Sequence, residues 1–182
     1  MKISPRTIIM MILAVIVVIS AFSLLDEMST NFVPPTLETI PLENRDLPEL
    51  TLYDIDEVPT KLDSLKGKPV ILHFWASWDS VSTKELPVFQ EAWEQLSEDA
   101  HILMVNVTDG HKETVITAKR FLDEQEYTFK GYFDTSMTLT GAFGVLQLPS
   151  TFFLDSDGNL VAGITGILDA EILRQGLAMV SD

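Results

Sequence analysis

The chain has 182 residues, 46% of them hydrophobic, with 9 Gly and 9 Pro, enough for one sizeable core and an appendage. Its formal charge is −15, and all 27 acidic residues follow the first apolar run, so the surface repels phosphate backbones and argues against a nucleic-acid partner. Cysteine is absent, which removes disulfides, thiolate metal ligands and thiol nucleophiles together.

Residues 1–6 carry Lys2 and Arg6, and Thr7 to Leu25 then runs 19 residues without a charge. At the helical rise such a run spans roughly 28 Å, close to the hydrocarbon thickness of a bilayer. The bases before it and Asp26 and Glu27 after it predict a single-pass cell-membrane anchor with a cytoplasmic start and an extracytoplasmic remainder. A cleaved signal peptide is the competing reading, because Ala21-Phe22-Ser23 resembles a small-x-small cleavage site. Residues 26–47, with Pro34, Pro35 and Pro41 among short polar stretches, read as an extended linker that holds the following domain off the bilayer.

From residue 48 to 182 the pattern is that of one α/β domain. Two short strands, Leu50 to Tyr53 and Val58 to Leu62, flank a polar turn, and Lys66-Gly67-Lys68-Pro69 punctuates the chain before Val70 to Trp75. That run, VILHFW, has the continuous apolar character of a strand buried on both faces. Leu86, Phe89, Trp93 and Leu96 recur at helical spacing and predict a helix over Thr83 to Leu96, with Pro87 expected to kink it. A strand over Ile102 to Val107 and helices over Lys112 to Glu124 and Thr135 to Phe143 follow. Thr151 to Leu154 and Leu160 to Ile164 predict an antiparallel hairpin about Asp155-Ser156-Asp157-Gly158, and a closing helix runs from Asp169 to about Met179. The order describes a mixed central sheet with helices on both faces.

Three stretches resemble the TlpA/ResA branch of the thioredoxin-like superfamily, AhpC/TSA-related membrane-anchored thiol-disulfide oxidoreductases. They are LPELTLYDIDEVPTKLDSLKGKPVILHFWASW, WDSVSTKELP and FGVLQLPSTFFLDSDGNLV. The second is similar to the family's W-C-x-x-C-x-x-E-x-P helix start in all but the two cysteines. The resemblance implies a thioredoxin-like fold over about residues 46 to 180. It places Trp78 before the active-site pair, Asp79 at the attacking cysteine, Ser80 and Val81 between, and Ser82 at the resolving cysteine. It also makes Leu148-Pro149 the cis-proline loop and matches Asp109 to an acidic residue near the site in some members.

A dithiol cycle needs sulfur at both positions, and a carboxylate or a hydroxyl can neither form the mixed disulfide nor resolve it. Asp79 suits a helix N-cap, and Ser82 with Glu85 fits an S-x-x-E capping box, so the helix is expected to begin there. The functional expectation is a groove of Trp78, Asp79, Ser80, Val81, Ser82, Leu148, Pro149 and Asp109 that binds a secreted or membrane protein or peptide in extended form, without a cofactor and without redox chemistry. Two readings stand beside it: a vestigial structural domain, and an oxidoreductase of cytochrome c maturation type acting indirectly. His73, His101 and His111 have no partner at metal-ligand spacing, and Asp155-x-Asp157-Gly158 lacks the downstream glutamate of a calcium loop.

Overall fold

The computed structural model describes residues 37–39 and 50–181. The expected anchor, Thr7 to Leu25, and most of the expected linker lie outside them. No helix among the described residues is long and apolar enough to cross a membrane.

Strands β1 (Glu38–Thr39), β8 (Leu160–Thr165), β7 (Ser150–Leu154), β4 (Val70–Trp75), β5 (His101–Asn106) and β6 (Gly131–Phe133) form one sheet in that spatial order. β4 runs parallel to β5 and antiparallel to β7, which makes it central and leaves all six of its residues buried. This is the outcome a continuous apolar run requires. A separate hairpin pairs β2 (Thr51–Tyr53) with β3 (Pro59–Lys61).

Alternation along β4 sorts the core into two layers. Ile71 and Trp75 pack with residues of α1 (Ser80–Leu96), α2 (Val115–Glu124) and α4 (Ala170–Val180). Val70, Leu72 and Phe74 pack on the opposite side with Leu139 and Phe143 of α3 (Thr138–Phe143) and with Leu50 and Leu52. His73 shares the face of Ile71 and Trp75, and its ring lies 3.9 Å from that of Phe89.

The structure moves several element starts for identifiable reasons. Helix α1 begins at Ser80, before the expected Thr83, and continues through Pro87 to Leu96. Helix α2 begins three residues later than expected, because Asp109 Oδ1 gathers the N–H groups of His111, Lys112 and Glu113 into a turn and Thr114 and Thr117 form a capping box. Helix α3 is likewise delayed, with the Asp134 carboxylate accepting the N–H groups of Leu139 and Thr140.

Strand β6 was not expected at all: three residues carry no readable period, and it exists through parallel pairing with β5. The sheet also reaches into the stretch read as a linker, where Glu38 and Thr39 pair with Gly163 and Ala162. The turn after β7 is a hairpin turn as expected, Asp155 Oδ1 accepting the N–H groups of Asp157 and Asn159.

Candidate functional site

The site lies where β4 ends and α1 begins. Trp75 closes the strand, Ala76 and Ser77 turn the chain, and Asp79 is the N-cap residue of α1, its φ of −87° and ψ of 115° being extended. Its carboxylate Oδ1 accepts the Ser82 N–H at 2.7 Å, and its carbonyl accepts the Thr83 N–H at 3.0 Å. A charged cap at the positive end of a helix is favourable both as an acceptor and as a countercharge.

This geometry overturns the expected Ser82–Glu85 box. Ser82 is the third residue of the helix, its side chain fully buried, and Glu85 is turned inward with 2% exposure. Both fall on the stripe that continues through Leu86, Phe89 and Ala92, so the helical period of the apolar residues offers the core as the alternative to a cap. Glu85 Oε1 accepts the Leu168 N–H at 2.7 Å, bonding to the connection between β8 and α4. Burial pushes its carboxyl up to about 8, with the Leu168 N–H pulling the other way and the Asp79 charge adding to the rise. On the same face burial pushes His73 down to about 3, leaving a neutral ring whose Nδ1 lies 2.9 Å from Thr151 Oγ1.

The second wall comes from the proline loop. The Leu148–Pro149 peptide is cis, as the resemblance implied. Ser150 pairs with Phe74, so extending the register sets Pro149 and Leu148 beside Trp75 and Ala76. The Pro149 carbonyl accepts the Gly166 N–H at 2.8 Å, while among the described residues neither the N–H nor the C=O of Leu148 is bonded. Leu146, two residues earlier, is 95% exposed.

Of the residues expected in the groove, Trp78, Asp79, Ser80 and Val81 lie at the start of α1, with Leu148 and Pro149 on the neighbouring strand end. Ser82 is inside the core, and Asp109 is occupied in its own turn. What that turn supplies is Lys112, whose Nζ lies 4.7 Å from the centre of the half-exposed Trp78 ring. Glu113, fully buried, accepts the Ser77 N–H at 2.5 Å and a hydrogen bond from Thr117 Oγ1, and so braces the turn before Trp78. Neither residue had a readable signal, since each reaches the site across the gap between β5 and α2.

Chemically, Asp79 is a carboxylate engaged as a cap and Ser82 a buried hydroxyl. The surroundings offer a half-exposed indole at Trp78, the exposed Leu146 side chain and a Leu148 peptide group that no described residue bonds.

Comparison with known proteins agrees with this frame. A model of the AhpC/TSA family matches residues 44–162. The thiol-disulfide oxidoreductase ResA of Bacillus thuringiensis is 30% identical over 137 residues, covering 75% of this chain and 78% of its own, and that of Bacillus subtilis is 28% identical over 139 residues. Among solved structures, the exposed lipoprotein thioredoxin Etrx1 of Streptococcus pneumoniae aligns with a TM-score of 0.65 and 29% identity over 72% of this chain and 98% of its own. StoA of Bacillus subtilis aligns with a TM-score of 0.62 and 25% identity over 71% and 98%.

Proposed function

We propose, from the premise that this chain belongs to the AhpC/TSA family and contains no cysteine, that it is a polypeptide-binding module working without redox chemistry. The observation that carries this reading is the pairing of Asp79 with Ser82 at a helix start beside the half-exposed Trp78 ring. The frame that presents a polypeptide to the thiols in a thiol-disulfide oxidoreductase is retained, and the groups that would exchange electrons are replaced by a capped helix start.

The ligand is an extended segment of a secreted or membrane protein. It pairs its backbone with the open N–H and C=O of Leu148, in the manner of an added strand, and lays side chains against Trp78 and Leu146. The apolar run from Thr7 to Leu25 supports placing the protein in the cell membrane with this domain on the extracytoplasmic side.

The test is a titration of the full chain, in mild detergent, with extended peptides of varied sequence, followed by Trp78 fluorescence and by the amide shift of Leu148. Saturable changes at both, unaltered by dithiothreitol, are the expected result. Catalytic turnover of insulin disulfides by the native chain, or binding that survives Trp78→Ala together with Leu148→Pro, overturns the reading.

A further inference from the structure

Glu85 is a carboxyl group inside the apolar layer between α1 and the sheet, and it is bonded on one side only. Oε1 accepts the Leu168 N–H, while Oε2 meets no donor among the described residues. Leu168 belongs to the connection between β8 and α4, and two residues earlier Gly166 donates to the Pro149 carbonyl. One buried side chain therefore ties α1 to a connection that is tied in turn to the proline loop. Between the two bonds Ile167 projects outward, 51% exposed.

We infer that Glu85 is a proton-controlled latch: as the neutral acid it holds the 166–168 connection against α1, and on losing its proton it favours a form in which that connection lifts and the carboxylate reaches water. A carboxylate is a better acceptor for the Leu168 N–H than the acid is, but the hydration lost by a buried charge outweighs that gain. Among the described residues, no positive charge acts on Glu85. Asp79, on its own helix, is of like sign, and His73 on β4 is neutral. Strands β7 and β8 and the 166–168 connection contain no titratable residue. On α4, Asp169 caps its own helix through Ile172, and Glu171 pairs with Arg174 at the surface. On α2, Lys119 pairs with Asp123 and Arg120 is exposed, and Glu113, which precedes that helix, is bonded to Ser77.

The direction with pH follows from the two forms. Burial pushes the closed-form carboxyl up to about 8, and a carboxyl that reaches water returns to the ordinary value of 4.5. Opening therefore becomes about tenfold easier per pH unit between those limits and is flat outside them. The latch bears on the peptide-binding reading because the connection borders the same loop, yet its test needs no ligand, so either idea can fail alone.

The test is hydrogen exchange of the full chain from pH 5 to 6.5, where the opposed slopes of Glu85 and His73 keep global stability level, corrected for intrinsic amide chemistry. The opening constants at Gly166 and Leu168 are expected to rise about tenfold per pH unit, while those of Leu103 and Val105 in β5 do not follow, and Glu85→Gln, neutral but still an acceptor, removes the dependence. A flat profile, the same slope in the variant, or β5 amides moving in step overturns the latch. Should the variant fail to fold, titration of the Glu85 carboxyl carbon in the native chain decides: a midpoint above 7 is expected, and one near 4.5 overturns it.

Discussion

Asp79 and Ser82 are hydrogen-bonded to each other, the Ser82 N–H donating to Asp79 Oδ1 at 2.7 Å. The carboxylate thus spends one oxygen on closing the first turn of α1.

If that bond is the anchor of the helix start, Asp79→Ala will lower stability by about 1 kcal/mol, and Asp79→Asn, which keeps an acceptor, by less. Urea unfolding monitored by circular dichroism measures both. Equal losses in the two variants would mean that the charge, rather than the cap, is what matters.

The pH profile of stability should show a plateau bounded by two buried groups. Glu85, raised from 4.5 to about 8, contributes stability that is full below 4.5 and is lost as pH rises towards 8. His73, lowered from 6.5 to about 3, contributes stability that is full above 6.5 and is lost as pH falls towards 3. Between 4.5 and 6.5 the two slopes cancel; from 6.5 to 8 the Glu85 slope stands alone, at up to about 1.4 kcal/mol per pH unit. Chemical denaturation at half-unit pH steps gives the profile. Glu85→Gln should remove the alkaline limb and leave the acid one.

Gly176 on α4 faces Phe153 of β7, and a Cβ there would overlap the phenyl ring. Both residues are buried, so Gly176→Ala should destabilise by about 1–3 kcal/mol despite the better helix propensity of alanine. Thermal melting measures the loss. Combining it with Phe153→Leu, which shortens the ring side, should recover part of it.

Asp54 joins the β2–β3 turn to the strand start at Lys130: Oδ1 accepts the N–H groups of Asp56 and Val58, and Oδ2 lies 2.8 Å from Lys130 Nζ. Lys130 holds the Asp54 carboxyl below the usual range. Because the ion pair is near the surface, Lys130→Met should cost only about 0.2–1 kcal/mol. Asp54→Ala, which also frees two backbone donors, should cost more, and a double-mutant cycle in urea separates the two contributions.

Residue order alone determined the central strand, the hairpin, the fold class and the absence of a cysteine thiol. VILHFW leaves no choice but burial on both faces, and a thiol cycle without cysteine is chemically closed. It did not determine where the helices begin, because carboxylates such as Asp79, Asp109 and Asp134 recruit backbone donors at distances that compete with the helical period. Glu85 shows the limit most plainly. Its spacing from Ser82 fits a cap, its place on the stripe of Leu86 and Phe89 fits the core, and only the arrival of Leu168, 83 residues later, selects the second. Lys112 over Trp78 and the bond from Gly166 to Pro149 are likewise products of tertiary packing. Contacts between distant segments leave no local period to read, so the sequence names Asp79 and Ser82 as candidates and the folded chain makes one a helix cap and buries the other.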